Sequence, residues 1–210
     1  MCGRYTVLTE DEIIEIRKIL KDLSLRIVKD EFSEYHQDTG EICPTDHAPV
    51  MIQREEGISF ESVKWGFKRW NGSGVIINAR CETIIVKSLF SKLIKAGRCV
   101  VPAGEFFEWE RLEKGKKKYF VKDKNDNILF MAGLYRDTED GREFVIITKK
   151  ATNEMKKIHD RIPVILRVDQ IESWLSGKLS PDDLENLDYD VAVMPCENGG
   201  EIDQLSLFST

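Results

Sequence analysis

Apolar positions repeat along this chain at two different spacings. Between Thr9 and Leu23 they fall at Ile13, Ile16, Leu20 and Leu23, the stripe of a surface helix, and Thr9 with Glu12 supplies a T-x-x-E start signal. From about residue 48 the spacing shortens to strand type in "APVMIQR", "ISFESVKWGF", "RCVVPAGEFFEWE", "KKYFVKD", "NILFMAGLY", "EFVIITK", "RIPVILR" and "DVAVMP". Short polar turns such as "EKGK", "KNDN" and "TEDGR" join several of these, which favours antiparallel hairpins over crossovers. Helical spacing returns in "TIIVKSLFSKLIKAG", ending near Gly97, and in "TNEMKKIH" after a Thr152 cap. Two more helices are predicted near the end: "DQIESWLSG", with Asp169 and Glu172 as a capping pair and Gly177 as a stop, and "SPDDLENL", with Ser180 as cap and Pro181 in the first turn. The order is neither strict β-α-β alternation nor a pure sandwich, so the expected class is α+β: a single domain over 1–210 with a mainly antiparallel sheet core and flanking helices. The longest irregular stretch, 30–47, is a candidate functional loop.

Composition narrows the setting. Hydrophobic residues at 41% and charged residues at 32% are the balance of an ordinary globular chain, which excludes a fibrous or disordered one. The first thirty residues are charged throughout, unlike a signal peptide, and no apolar run approaches the ~18 residues of a membrane span. A cytoplasmic protein with no membrane partner is expected. The cysteines (Cys2, Cys43, Cys81, Cys99, Cys196) are odd in number and widely spread, so reduced thiols are expected. None forms CxxC, and His36, His47 and His159 lack HxxxH spacing, so neither metal nor cofactor is expected. "NGS" at 71–73 reads as a tight Asn-Gly turn. A net charge of −6 argues against a protein coated for nucleic acid but leaves room for a local basic groove. Lys64, Lys68 and Arg69 form one such cluster and Lys149, Lys150, Lys156 and Lys157 another, whereas "KGKKK" at 114–118 reads as a solvated hairpin tip.

Candidate chemistry begins at residue 2. If Met1 is removed, Cys2 presents an α-amine and a thiol on adjacent carbons. An α-amine titrates at roughly 7.7–8.0 against about 10.4 for a lysine, so its neutral nucleophilic form costs about 3 kcal/mol less near pH 7. The competing interpretation is a small buried hydrophobe, the usual state of a cysteine. Three polar groups of residues stand where strands or helices begin or end: "INARCET" with Asn78, Arg80 and Glu82, "EFFEW" with Glu105, Glu108 and Trp109, and "IHDRIP" with His159, Asp160 and Arg161. Each has a bland structural meaning alone. Jointly they supply a nucleophile, an orienting amide, a carboxyl among aromatics that tends to keep its proton, and an imidazole. Pattern alone reaches candidate cysteine or N-terminal-amine chemistry and goes no further.

The motifs "MCGRY", "WGF" at 65–67, "INARCET" at 77–83, "RCVVPAGEFFEW" at 98–109 and "IHDRIPVIL" at 158–166, in this order, resemble the SOS response-associated peptidase family, also called abasic site processing proteins. The resemblance implies an α+β domain of that family's fold. It implies that the mature N-terminal Cys2 forms a thiazolidine with the ring-opened aldehyde of an abasic site in single-stranded DNA, after self-removal of Met1. By motif, Asn78 would position the N-terminal group, and Glu108 and His159 would move protons. Arg4, Arg80 and Arg161 would contact phosphates, Thr148 would line the site, Pro44 would match the family's early loop proline, and Trp70 would wedge against DNA. The resemblance further implies a monomer that associates with the nucleoid when bound. This chain departs from the family's usual A-D-G with Ala103, Gly104 and Glu105, and its tail lacks the asparagine-rich ending. Two alternatives stand beside this expectation: a cysteine peptidase acting on other peptides with Cys2 and His159 as its dyad, and a non-catalytic module for single-stranded nucleic acid.

Overall fold

Strands present successive side chains to opposite faces, and in this protein that alternation sorts the core into two layers. The computed structural model describes residues 2–32, 40–70, 72–152 and 154–196. Among them, a five-stranded sheet orders Val191–Pro195, Lys116–Asp123, Glu105–Arg111, Tyr5–Thr6 and Glu41–Ile42. A larger sheet runs Arg161–Pro163, Gly141–Lys150, Leu129–Thr138, Arg98–Ala103, His47–Arg54, Gly57–Trp65 and Ile27–Asp30, with Asn78–Arg80 added along Gly141–Lys150. Strand Gly141–Lys150 also pairs with Gly57–Trp65 through Glu143 with Lys64 and Phe144 with Trp65, so the central strands close into a barrel.

Met51, Val100, Phe130, Ala132, Val145 and Ile147 face one way and pack with Ile16 and Leu20 of the helix Glu10–Asp22, and with Phe90, Ile94 and Trp174 of shorter helices. Their neighbours Val50, Ile52, Cys99, Val101, Met131, Phe144 and Ile146 face the other way and pack with Tyr5, Phe106 and Val121 of the five-stranded sheet. Cys2 belongs to this second layer and has no exposed surface. The expected α+β class with a mainly antiparallel sheet core holds.

The first helix begins as its sequence predicts: Glu12 N–H donates to Thr9 Oγ1 at 3.2 Å, and Thr9 N–H donates to Glu12 Oε2 at 2.6 Å. The hairpins Glu105–Arg111 with Lys116–Asp123 and Leu129–Thr138 with Gly141–Lys150 are antiparallel, as expected. Other expectations need correction. "TIIVKSLFSKLIKAG" is not one helix but a 3-10 turn at Cys81–Thr83 and two single turns, Ser88–Ser91 and Leu93–Ala96. The run Thr83, Ile84, Ile85, Val86 is β-branched, which restricts χ1 against a preceding helical turn and opens the break. "TNEMKKIH" shortens to Met155–Ile158 without a side-chain cap. The cap expected from Asp169 and Glu172 is made instead by Gln170 Oε1, which accepts from Arg167 N–H at 3.0 Å. Ser180 and Pro181 do open a turn, a 3-10 one at Pro181–Asp183. "RIPVILR" divides into Arg161–Pro163 and Ile165–Leu166, which pair with different strands. Of the loop 30–47, residues 33–39 with His36 lie outside the described residues, as do Met1, Asn71 of the predicted turn, Asn153 and the tail from 197. Among the described residues no helix is long and apolar enough to cross a membrane.

Gly57 ends the hairpin of His47–Arg54 with Gly57–Trp65, at φ 152°. A Cβ there would stand 2.1 Å from the Arg26 carbonyl oxygen, just before the strand that lies parallel to Gly57–Trp65. Gly57→Ala therefore lowers unfolding free energy by about 2 kcal/mol or more; a urea melt that matches wild type would show that this close approach carries no such constraint.

Candidate functional site

The register between the first strand and Glu105–Arg111 sets the position of Cys2. Tyr5 stands opposite Phe106, and Phe107 N–H donates to the Arg4 carbonyl at 2.9 Å. The pairing is antiparallel, so stepping back from Tyr5 to Cys2 runs forward toward Glu108. Phe106 and Glu108 share the inner face, and Glu108 is 2% exposed. Asn78 comes from the strand Asn78–Arg80, which lies parallel to Ile146–Thr148, and its Nδ2 donates to the Cys2 carbonyl at 2.8 Å. The amide therefore grips the backbone of residue 2. Its Oδ1 is buried and has no hydrogen-bond partner among the described residues.

His159 ends the short helix Met155–Ile158, which packs on Glu105–Arg111, and its N–H donates to the Met155 carbonyl at 2.9 Å. Electrostatics links the group. Burial pushes the Cys2 thiol far up and the nearby Glu108 charge pushes it further, so it rests as a neutral thiol. Burial also raises Glu108, with the His159 charge pulling the other way, so this carboxyl holds its proton to higher pH than an exposed glutamate. The four residues that the sequence separates thus act on one another in space.

A second arrangement braces the first. Arg161 Nη2 donates to Glu82 Oε2 at 2.8 Å and to the Thr148 carbonyl at 2.6 Å, while Nη1 reaches the other Glu82 oxygen. Hydrogen bonds from Arg161 hold Glu82 down to about 2 against the opposing effect of burial. Arg161 is 5% exposed but lines the floor of an open groove with Arg80, Lys150 and Lys156, while Thr148 is fully buried beneath it. Both lie where the strands Gly141–Lys150 and Arg161–Pro163 pair. Arg161 also orients the histidine, its backbone N–H donating to His159 Nδ1 at 3.0 Å. Asp160 Oδ1 lies 2.9 Å from the same nitrogen. The backbone bond needs a lone pair on Nδ1 and the carboxylate needs a proton there, so the two contacts exclude each other and compete for that nitrogen.

The remaining expected residues spread around this centre. Arg4 points to the outer face of the five-stranded sheet, bonded to Glu41 at 3.0 Å and set over the Trp109 ring at 5.3 Å. Pro44 sits half-buried in the turn after Cys43. Arg80 is exposed on an open groove of about 660 Å³ with Lys150, Lys156 and Asp160. Trp70 is fully exposed on a different groove, of about 580 Å³, with Lys68, Arg69 and Arg136. Sequence reasoning quoted Glu82 without a role and placed Lys118 in a solvated tip. Lys118 instead lies on the strand Lys116–Asp123 with its ammonium 3.9 Å from the Phe107 ring centre, and the tip is confined to the residues around Gly115. The period-two alternation of "KKKYFVKD", which puts Lys118 and Lys122 on one face, is the signal that could have found it. Among the described residues, no group of three His, Cys, Asp or Glu side chains could hold a metal ion.

Residues 1–197 match the family model described as SOS response associated peptidase (SRAP). Abasic site processing protein YoqW of Bacillus subtilis is 35% identical over 203 residues, covering 89% of this chain and 86% of that protein. Abasic site processing protein YobE of the same organism is 34% identical over 203 residues, covering 89% of this chain and 88% of that protein. The crystal structure of a protein from Bacteroides thetaiotaomicron superposes with a TM-score of 0.74 at 22% identity, over 94% of this chain and 93% of that one, which shows the fold.

Two predictions follow from the site's electrostatics. A carboxyl raised on folding binds its proton more tightly in the native state, so stability falls as pH climbs through that raised value. Glutamine is uncharged at every pH and escapes the loss. Glu108→Gln is therefore expected to melt above wild type at pH 8 in calorimetry, with the gap closing at acidic pH; a constant gap would mean that Glu108 is not dry. Glu82, held at about 2 against an ordinary 4.5, contributes stability that is complete above the ordinary value and lost as pH falls to about 2. Glu82→Gln leaves Arg161 buried without its carboxylate and costs roughly 3–5 kcal/mol at pH 7. Urea unfolding at pH 7 and pH 3 checks both the size and the narrowing.

Proposed function

The chain belongs to the SOS response associated peptidase family, and from that premise we propose that it captures abasic sites in single-stranded DNA through a covalent bond at Cys2. Met1 is first removed by hydrolysis of the Met1–Cys2 peptide bond, in which Cys2 itself is the nucleophile, freeing the α-amine. The amine then adds to the C1′ aldehyde of the ring-opened deoxyribose and loses water to give an imine. The Cys2 thiol adds to the same carbon and closes a thiazolidine, its proton passing to the former imine nitrogen. Amine, thiol and aldehyde become one ring and one water. Closure is intramolecular, and such reactions reach effective molarities of about 10⁵ M or more.

The observation that carries this proposal is the Asn78 bond to the Cys2 carbonyl, beside a carboxyl whose neutral form burial favours. A neutral Glu108 can protonate the departing hydroxyl of the carbinolamine, and the His159 imidazole can relay protons. The Asn78 Oδ1, without a partner among the described residues, suits an acceptor for the freed amine. A raised, buried thiol fits poorly with a peptidase that turns over many substrates, which needs an accessible thiolate. Because the aldehyde exists only where a base is missing, specificity for the lesion comes from the reaction. The protein needs only to hold backbone and neighbouring bases, for which the exposed Arg80 and Trp70 are suited. We propose that it works in the cytoplasm as one domain and one copy, bound to the nucleoid when DNA is engaged.

Intact-mass measurement after mixing with an abasic single-stranded oligonucleotide is expected to show one heat-stable adduct on a protein lacking Met1. Cys2→Ala abolishes it, and Glu108→Gln slows its formation by about 100-fold or more. An adduct undiminished in Cys2→Ala would refute the proposal. Repeated turnover of a peptide would favour the peptidase, and salt-dependent binding indifferent to both Cys2→Ala and the missing base would favour a binding module.

A further inference from the structure

On the outer face of the five-stranded sheet, the two oxygens of one carboxylate are held by two separate cations. Glu41 Oε2 accepts from Arg4 Nη1 at 3.0 Å, and Glu41 Oε1 accepts from Lys118 Nζ at 2.5 Å. Lys118 reaches Glu41 across two intervening strands, since Glu105–Arg111 and Tyr5–Thr6 lie between theirs. Both cations also lie over aromatic rings: Arg4 over Trp109 at 5.3 Å, and Lys118 over Phe107 at 3.9 Å and Trp109 at 5.7 Å. The side chains remain open to water, Arg4 at 39%, Glu41 at 31% and Lys118 at 19%. Arg4, Glu41 and Phe107 line an open groove of about 620 Å³ together with Thr6, Cys43 and Glu105.

The geometry points to an anion seat for a nucleic-acid phosphodiester, formed by Arg4 and Lys118 and filled in the free protein by Glu41. A phosphodiester carries one negative charge and two terminal oxygens, as the Glu41 carboxylate does, so it can replace that carboxylate without changing the charge the two cations face. The aromatic rings hold the cations in place when the carboxylate leaves, since each cation keeps a ring contact that does not involve Glu41. The seat is also fixed to the nucleophile: the Arg4 carbonyl accepts from Phe107 N–H at 2.9 Å and lies 3.8 Å from Cys2 Sγ. Glu41 therefore sets affinity for the strand that leads to Cys2, as an internal competitor for phosphate. Lys118 is a phosphate contact that no family motif marks. Glu105, on the same groove, is raised mainly by its burial and so opposes an incoming phosphate less than a fully ionised carboxylate would.

The inference rests on the single-stranded DNA reading above, and its test separates the two. Binding of an intact single-stranded oligonucleotide is measured over a range of salt concentrations for wild type, Glu41→Gln, Lys118→Met and the double variant, alongside crosslinking of an abasic oligonucleotide. Each phosphate contact on a single strand contributes about 0.7 to the slope of log K against log salt. Glu41→Gln is expected to bind roughly 5-fold tighter, with a slope steeper by about 0.7–1.4, as both cations are released. Adding Lys118→Met removes about half of the gain in slope, whereas Lys118→Met alone changes binding less than it does in the Glu41→Gln background. Unchanged slope and affinity in Glu41→Gln, with wild type still crosslinking, would overturn the seat and leave Glu41 as a tie for the edge strand. Loss of crosslinking and binding in wild type would instead overturn the functional proposal. If Glu41→Gln unfolds, Glu41→Ser carries the same comparison, with folding checked by thermal melting.

Discussion

Cys2 and Glu108 share the dry inner face of the five-stranded sheet, and loss of water there favours the uncharged form of both. That single condition sets what the site can do. A thiolate would suit repeated attack on peptides, but a thiol that stays protonated waits until an electrophile is already bound beside it. A carboxyl that stays protonated is a donor, and chemistry that must expel hydroxide from a carbinolamine needs a donor more than a base. The alternation that sends Tyr5, Phe106 and Val121 into the core sends Glu108 there as well, so the core and the reactive group are products of one register.

Dryness carries a structural cost that the Arg161–Glu82 pair helps to meet. A buried ion pair rarely adds net stability over apolar packing, yet losing one partner is expensive. Here the pair joins the 3-10 turn after Asn78–Arg80 to the strand after His159, so the segments carrying Asn78 and His159 cannot drift apart without breaking it. The Arg161 N–H on His159 Nδ1 extends the brace to the imidazole. The arginine thus contributes alignment, a role suited to its buried position.

Much of this was legible in the sequence. The family resemblance carried by the motifs implies that Cys2, Asn78, Glu108 and His159 converge, and in the structure Asn78 bonds the Cys2 carbonyl while Glu108 interacts with Cys2 and His159. The helix at Glu10–Asp22 was legible because its stripe and its capping box agree. Direction was not legible: a sequence shows that Arg161 is charged but not which way it points. Only its bonds to Glu82 and to the Thr148 carbonyl hold that side chain down against the sheet. The parallel contacts of Gly141–Lys150 with both Gly57–Trp65 and Asn78–Arg80 were hidden for a related reason, since partners far apart in sequence leave no turn between them to read. The helix predicted across Thr83–Val86 failed where local preference and apolar spacing disagreed.

The cations divide into two kinds, and the division bears on the proposed capture of an anionic strand by an acidic protein. Arg80 and Lys156 share a groove and have no side-chain partner among the described residues, so their charge is available at first encounter. Arg4 and Lys118 are already satisfied by Glu41, so in the proposed seat they contribute only when a phosphate displaces it. In a chain with a net charge of −6, long-range attraction for DNA is weak and must come from the unpaired group. A masked pair adds little to that first encounter, and its exchange of one anion for another favours an oligonucleotide already positioned on the outer face. In the proposed function, such an arrangement makes tight binding conditional on alignment near Cys2, which suits a capture reaction that happens once at each site.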